Sequence, residues 1–139
     1  MADEPSFENA LIADMRAHDG AVTEGPLKGH PLLIMTSKGA RTREDRRAIL
    51  TWSRDGGAYV VAGTAGGSPK DPSWLRNLKQ DPNVTIETGN RTLPARATFV
   101  DEAERPSLWE RHVAALPWFA AYPEQTGRDI PMVRLTPID

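Results

Sequence analysis

Two features of the sequence predict a mainly β domain with flanking helices, an α+β fold. The apolar runs are short, like the strands of antiparallel sheets, and the dipeptides Asp55-Gly56 and Gly89-Asn90 are typical of tight β-hairpin turns. The 139 residues are 39% hydrophobic and 26% charged, which is an ordinary composition for a globular domain. We therefore expect residues 1–139 to form one domain built on a mostly antiparallel sheet of six or seven strands.

The first element expected along the chain is a helix at about residues 7–19. Ser6 is a suitable N-cap and Gly20 a suitable stop. Residues at helical spacing would form an apolar stripe that packs on the core, namely Phe7, Leu11 and Met15.

Three strands follow, and a basic loop separates the first two. The strands are expected at residues 31–36, 48–52 and 58–62, with a hairpin turn at 54–57. The loop, residues 37–47, carries Lys38, Arg41, Arg43, Arg46 and Arg47. Cations crowded in this way repel one another unless water or an anion surrounds them.

A glycine turn comes directly after the third strand. Ala65, Gly66 and Gly67 lead to Lys70, and Asp71-Pro72 is typical of a helix start, with Asp71 as the cap of a helix from 72 to about 80. Glycines admit a close ligand, and the first amides of a helix attract anions. The pattern predicts either a cradle for a phosphate-bearing cofactor or a tight turn before a core helix.

The rest of the chain continues the same alternation of strands and helices. We expect strands at 84–88, 91–100 and 130–135, a helix at 102–115 and an aromatic turn at 117–123. Asp101, with Glu104 three residues later, is typical of a capping box. His112 falls on or beside the apolar face of that helix, and we expect a packed histidine rather than a catalytic one.

Several kinds of chemistry have no residues to support them. The chain has no cysteine, and its histidines, His18, His30 and His112, lack the spacing of metal ligands. No G-x-S-x-G motif appears, and the acidic residues are scattered along polar faces. The residues therefore do not support hydrolysis by a triad, a metal or paired carboxylates. The class of reaction that remains is one whose chemistry resides in an organic cofactor.

Charge and hydropathy also limit the expected partners. A formal net charge of -2 argues against a general nucleic-acid binder. No apolar run approaches the roughly 20 residues of a transmembrane helix, and the acidic N-terminus has no apolar segment typical of a signal peptide. We therefore expect a cytoplasmic protein without a transmembrane segment, either free or bound peripherally to a membrane.

Three stretches of the sequence resemble the deazaflavin-dependent nitroreductase family. The most specific runs from Gly66-Gly67-x-Pro69-Lys70-x-Pro72-x-Trp74 through Asn77-Leu78 to Asp81-Pro82-x-Val84. The second is the basic segment from Gly39 to Arg46, where Ala40 and Arg43 depart from the family's usual Arg and Gly. The third contains Tyr122 and Thr126-x-Arg128-x-Ile130-Pro131, although Leu116 and Phe119 stand where the family often has tyrosines.

The resemblance implies a fold, a cofactor and a reaction. The fold would be a split β-barrel of the FMN-binding type, and the cofactor would be coenzyme F420. The reaction would be hydride transfer from the reduced deazaflavin to an activated C=C, quinone or nitro group. The pocket would accept a small, planar, apolar substrate, and the resemblance allows a homodimer.

The resemblance also assigns roles to individual residues. Those that would bind the cofactor are Arg41, Thr42, Arg46, Ala48, Ile49, Thr64, Ala65, Gly66, Gly67, Lys70, Ser73, Trp74 and Asn77. Thr64 would also donate a hydrogen bond to developing charge, which makes it, with Tyr122, a catalytic candidate. The substrate would contact Trp118, Phe119 and Tyr122. Trp74 could equally belong to the core, and Asn77 could equally brace a loop.

Two other functions compete with this one. A related split-barrel enzyme could use FMN, because both cofactors carry a phosphate and a tricyclic ring. A deazaflavin carrier without turnover of its own is also compatible with the tyrosines missing at Leu116 and Phe119.

Overall fold

The computed structural model describes residues 7–18, 20–23, 27–89 and 91–138. Its helices are α1 (Phe7–Ala17), α2 (Ser73–Gln80), α3 (Arg105–Ala115) and α4 (Tyr122–Thr126). Its strands are β1 (Leu32–Lys38), β2 (Asp45–Thr51), β3 (Ser53–Asp55), β4 (Ala58–Ala62), β5 (Asn83–Thr88), β6 (Arg91–Phe99) and β7 (Met132–Pro137). Short 3-10 turns cover Ala65–Gly67 and Pro117–Ala121.

The seven strands form one antiparallel sheet in the order β2-β1-β5-β6-β7-β4-β3. Strands β2 and β3 are at opposite edges of this sheet, yet only Trp52 separates them in the sequence. One residue cannot span a flat sheet of seven strands, because neighbouring strands lie about 4.8 Å apart. The sheet must therefore curl until its two edges meet at Trp52.

Both faces of the curled sheet are buried. Leu33 and Met35 of β1 pack on the same cluster as Trp74, Leu75 and Leu78 of α2. The alternate residues of β1 pack instead with α1, and those of β4 pack with α3 and the segment 116–122. Double burial explains why β1 and β4 are continuous apolar runs in the sequence rather than alternating ones.

Most predicted elements are present, but several boundaries differ, and the short strand β3 (Ser53–Asp55) overlaps the predicted turn at 54–57. The segment 37–47 is a loop only at 39–44, because Lys38 pairs with Asp45 and both flanking strands extend into it. Helix α2 begins at Ser73, with Pro72 as its N-cap, so the expected Asp71 cap is wrong. The aromatic turn contains a short helix, α4, that the sequence did not predict.

The flanking helices agree with the sequence in their buried residues. Leu11 and Met15 of α1 are buried, as the stripe predicted. Asp101 accepts the backbone N–H of Glu104 at 2.9 Å, but Glu104 is the N-cap of α3, so the predicted Asp101 cap is wrong. Three predictions concern Ser6, the Phe7 side chain and Asn90, which lie outside the described part of the chain.

Candidate cofactor and substrate site

A basic groove of about 580 Å³ opens between β2 and the start of α2. The lining residues are Gly39, Ala40, Arg41, Thr42, Arg46, Arg47, Ala48, Ser73, Trp74, Arg76 and Asn77. Four of them are arginines, and none of these described lining residues is acidic. The groove thus gathers seven of the residues that the resemblance assigned to cofactor binding, together with Arg47 and Arg76, which it did not.

Helix α2 holds the basic loop in place at two points. The side-chain Oδ1 of Asn77, which is 8% exposed, accepts the backbone N–H of Ala40 at 2.9 Å. The guanidinium of Arg43 lies 2.8 Å from Asp81, just after the helix. Asn77 therefore braces the loop and also lines the groove. Arg43 forms an ion pair with Asp81 instead, and this pair lowers the pKa of the Asp81 carboxyl.

Three of the groove arginines, Arg41, Arg46 and Arg76, are weakly compensated. Arg46 is 3.5 Å from the largely exposed Glu44 and 3.4 Å from the Thr42 hydroxyl. Arg41 and Arg76 form no ion pair within the described ranges. Like charges held together in this way favour an anion in the groove.

Trp74 and Ser73 connect the groove to the core. Trp74 is only 9% exposed and belongs to the main hydrophobic cluster, so it is a core residue whose edge also lines the groove. Ser73 is the first residue of α2, where unpaired amides of a helix end are expected. The helix therefore presents a hydroxyl and amide groups beside the arginines.

Arg128 fastens the glycine turn to the rest of the fold. Its Nη2 donates to the carbonyl oxygens of Gly63 at 2.9 Å, Thr64 at 3.2 Å and Lys70 at 3.1 Å. Its Nη1 lies 2.8 Å from the Asp71 carboxylate. This ion pair is the physical reason that Asp71 does not cap α2, since the carboxylate is turned toward Arg128.

The backbone of the glycine turn is tightly constrained. Ala65 has a φ of 49° and Gly67 a φ of 93°, both in the left-handed region. A Cβ at Gly67 would lie 2.5 Å from Oε1 of Gln125. The Gly67 amide donates to the Thr64 carbonyl at 2.9 Å, so this N–H is occupied within the turn. The expected contact of Gly67 with the cofactor stays a prediction.

The glycine turn and Lys70 do not line the basic groove in the described structure. Ala65, Gly66, Gly67 and Lys70 are all missing from its walls, and Lys70 is exposed on the loop between the turn and α2. The structure thus brings Arg41 and Arg46 together but leaves Lys70 outside their groove.

A second cavity, of about 210 Å³, has aromatic and aliphatic walls. The residues around it are Leu27, His30, Ile49, Leu50, Thr51, Ala62, Thr64, Trp118, Phe119 and Tyr122. It therefore unites Thr64 and Ile49 with all three residues expected at the substrate. We call it the aromatic pocket.

Polar groups in the aromatic pocket are few and unpaired. Thr64 is 9% exposed, and neither its hydroxyl nor that of Tyr122 makes a hydrogen bond within the described ranges. Phe119 fixes Tyr122 by an edge-on ring contact at 5.1 Å. The hydroxyls of Thr64 and Tyr122 are thus available to a ligand in this pocket.

Strand β2 joins the two cavities. Arg46, Arg47 and Ala48 line the basic groove, and the next three residues, 49–51, line the aromatic pocket. Ala48 packs toward the α2 cluster and Ile49 toward the α1 cluster. Adjacent strand residues point to opposite faces, so Ala48 and Ile49 line different cavities, and their expected contact with the cofactor ring stays a prediction.

His112 supports the aromatic pocket from behind. It is fully buried, its Nδ1 lies 2.5 Å from the Ser53 hydroxyl, and its ring meets Phe119 edge-on at 4.7 Å. Burial lowers the pKa of His112 to about 4, so the ring is neutral at pH 7. The prediction of a packed histidine is confirmed.

Sequence reasoning missed three kinds of contribution to the site. Arg128 was visible in the Thr-x-Arg-x-Ile-Pro stretch, but nothing in the sequence indicated which carbonyls it reaches. Arg76 lies in α2 about one turn after Ser73, so helical spacing could have placed it beside the groove. His30 precedes the first strand by two residues, and its position at the pocket follows only from the curl of the sheet.

Two absences apply to the described part of the chain. No helix there combines the length and the apolar character that a membrane span requires. No group of three or more histidine or carboxylate side chains within these ranges is arranged to hold a metal ion.

Comparisons with known proteins agree with the site. The model of the F420H(2)-dependent quinone reductase family matches residues 10–137. An F420H(2)-dependent quinone reductase of Mycobacterium tuberculosis is 33% identical over 133 residues, which cover 88% of this chain and 89% of the relative.

Solved structures show the same fold. A structure of an F420-H2 dependent reductase, FDR-A, is 33% identical with a TM-score of 0.68, and the match covers 76% of this chain and 93% of that one. A structure described as a domain-swapped dimer is 29% identical with a TM-score of 0.70, covering 92% and 93% of the two chains. The predicted split β-barrel is confirmed.

Proposed function

The chain belongs to the F420H2-dependent quinone reductase family, and we propose that its two cavities divide this chemistry between cofactor and acceptor. The cofactor is coenzyme F420, and the protein is a reductase. In our proposal the basic groove binds the charged part of F420 and the aromatic pocket receives the ring and the acceptor. Family membership does not support the FMN and carrier alternatives.

The residues present fit the charged part of the cofactor. F420 carries a phosphate and an acidic tail, and the groove offers arginines that lack strong partners. Arg41 and Arg76 form no ion pair in the described structure, and Arg46 is bonded only at long distances. Charge-assisted hydrogen bonds from arginine to phosphate are among the strongest polar contacts in proteins, which makes Arg41 and Arg46 the main anchors in this proposal.

The aromatic pocket fits the planar ring of the cofactor. Ile49, Leu50 and Ala62 give it aliphatic walls, while Trp118 and Phe119 cover it with aromatic ones. Such walls favour planar apolar groups and keep water out. When bound, reduced F420 supplies a hydride, so the chain itself must position the acceptor, exclude water and stabilise developing charge.

Thr64 is our candidate for stabilising that charge. Its backbone carbonyl is held by Arg128 at 3.2 Å, and its hydroxyl lies in the pocket without another partner in the described ranges. A preorganised donor of this kind lowers the barrier because no reorganisation is needed when the charge appears. Tyr122, on the facing wall, would select among acceptors by the shape and polarity of its hydroxyl end.

One observation carries the proposal: the single strand β2 passes from the arginine-lined groove directly into the pocket that contains Thr64 and Tyr122. A ligand with an anionic tail and a planar ring can follow this strand. The acceptors that suit the pocket are quinones first, followed by enones and nitroaromatics, and no nucleic acid is involved.

The test is reduction of acceptors by the purified protein with reduced F420. We expect oxidation of the cofactor's deazaflavin ring, followed by absorbance, with menadione, an enone and a nitroaromatic compound as separate acceptors. A parallel reaction with reduced FMN should be far slower. Tight binding of F420 without turnover on any acceptor would contradict the proposal and favour a carrier.

Assembly and location belong to the same proposal. The similar structure described as a domain-swapped dimer supports a homodimer for this chain too. Light scattering at several protein concentrations tests this state. A cytoplasmic location, with or without contact to a membrane surface, remains a prediction that fractionation of producing cells tests.

A further inference from the structure

His30 lies in the wall of the aromatic pocket, just before the first strand. Its backbone N–H donates to the Leu27 carbonyl at 3.0 Å, which fixes the loop. Its ring stacks almost parallel on Trp118, with centroids 4.2 Å apart and planes 19° apart. The imidazole is therefore held in one orientation at the edge of the pocket.

Among the described residues, none is a hydrogen-bond partner of the His30 ring. Nδ1 is buried, and neither nitrogen makes a hydrogen bond within the described residues. A buried polar atom left without a partner destabilises the fold. Such a cost is tolerated at a site where a ligand supplies the missing partner.

The other polar side chains of this pocket are poor proton donors near neutral pH. They are the hydroxyls of Thr51, Thr64 and Tyr122, and Tyr122 is the one other titratable group among the described lining residues. Imidazole is the side chain that most often transfers protons near neutral pH. The stacked Trp118 ring keeps this imidazole in the pocket wall.

We propose that His30 donates the proton that completes reduction of the acceptor, and this inference rests on the proposed function. A quinone gains two electrons with the hydride, and the oxygen that becomes negative takes a proton from the His30 imidazolium. The O–H bond of the hydroquinone forms as the imidazole N–H bond breaks. His30 regains a proton from solvent, which receives the proton released when the reduced cofactor is oxidised.

Two acceptors with different proton demands test the proposal. Menadione needs a hydride and a proton, whereas methylene blue is a cation that becomes its neutral leuco form with a hydride alone. We expect His30→Gln and His30→Phe to lower kcat with menadione by about 100-fold, in the range of general acid catalysis. With methylene blue both variants should lose much less activity than with menadione, because that acceptor needs no proton.

Trp118→Leu is the matched control for packing. It removes the ring that supports His30 but keeps the imidazole, so the extra slowing of menadione over methylene blue should be smaller than in His30→Gln. Thermal unfolding of each variant shows whether the fold is retained. Equal slowing of both acceptors by His30→Gln, or no slowing with menadione, would overturn the role of His30.

A second measurement uses the unchanged protein and needs no turnover. In NMR spectra without F420, menadione should shift the ring resonances of His30. Those of His18, just after α1, and of His112, buried behind Phe119, should move less. Unmoved His30 resonances at saturating menadione would contradict the proposal. Failure to oxidise reduced F420 with either acceptor would instead overturn the proposed function, and the role of His30 with it.

Discussion

Nη1 of Arg128 lies 2.8 Å from Oδ1 of Asp71, and this ion pair closes the glycine turn against the end of α4. The same guanidinium donates to carbonyls on both sides of the turn, at Gly63 and Lys70. Arg128 thereby replaces backbone hydrogen bonds that an irregular segment cannot make to itself. The position of Thr64 in the aromatic pocket depends on this contact.

Arg128→Ala should disrupt the turn and both properties that depend on it. We expect a loss of about 3 kcal/mol in the free energy of unfolding, because a largely buried network loses its donor and Asp71 loses its partner. Turnover should fall together with cofactor affinity. Urea unfolding and steady-state kinetics measure the two effects.

Arg128→Lys and Arg96→Ala serve as controls for that prediction. Lysine keeps the charge but lacks the planar fork, so it should restore only part of the loss. Arg96 is an exposed residue of β6, and its removal should change little. If Arg128→Ala changes the free energy of unfolding and the turnover no more than Arg96→Ala does, the glycine turn does not depend on Arg128.

Removing a groove arginine should weaken cofactor binding without unfolding the protein. Arg41→Ala should raise the Kd for F420 about tenfold or more, because one charge-assisted hydrogen bond contributes roughly 1.5–3 kcal/mol. The loss should shrink at high salt. Titration calorimetry at two salt concentrations measures it, with exposed Arg91→Ala as the control.

Lys70→Ala separates the sequence expectation from the geometry of the groove. The resemblance implies a loss of about tenfold in F420 affinity, as for Arg41. The structure has Lys70 exposed and outside the walls of the groove. An unchanged Kd would remove Lys70 from the cofactor site and leave the arginines as its anchors.

Thr64→Val should slow turnover by roughly 10–100-fold if the hydroxyl donates one preorganised hydrogen bond. Valine has nearly the shape of threonine, so the pocket wall and the affinity for F420 should be retained. Thr64→Ser should recover most of the rate. Kinetics with menadione test this, and a Thr64→Val enzyme as fast as the unchanged one would exclude the hydroxyl from the reaction.

Tyr122→Phe should change acceptor preference more than cofactor affinity. The hydroxyl is in the aromatic pocket rather than the basic groove, and the ring is already fixed by Phe119. The ratio of kcat/KM for a quinone to that for an enone should therefore shift while the Kd for F420 does not. Loss of F420 binding in a folded variant would mean that the two sides of the pocket are reversed.

His112 should make the fold less stable in mild acid. Its pKa in the folded protein, about 4, is below the unfolded value of about 6.5, so the folded state favours the neutral ring. Its contribution is fully present above pH 6.5 and is lost as the pH falls toward 4, by about 1.4 kcal/mol per unit. Urea unfolding at pH 7 and 5 measures the loss.

The His112→Gln variant provides the comparison for this pH dependence. Glutamine does not titrate, so the difference between pH 7 and 5 should shrink in the variant, whereas exposed His18→Gln should keep it. Asp55 and Glu104 have pKa values lowered by Arg134, and their contributions are lost at lower pH still. An identical pH dependence in His112→Gln would assign the effect to other groups.

The sequence alone determined the local features of this protein. Hairpin dipeptides and apolar runs predicted the strands, and the stretch from Gly66 to Val84 identified the family and hence the cofactor. These features depend on neighbouring residues, whose backbone preferences and spacing can be read along the chain. Even the buried state of His112 follows from its position beside an apolar helix face.

Only the tertiary structure decided which distant residues meet. Asp71 looked like a helix cap, but the fold brings Arg128 within 2.8 Å, and an ion pair with a largely buried guanidinium outweighs a local cap. Lys70 is near the glycines in sequence but lies outside the basic groove. His30, two residues before β1, lines the aromatic pocket. The curl of the sheet brings its two edge strands, β2 and β3, together and so sets these distances. No local sequence pattern encodes that curl.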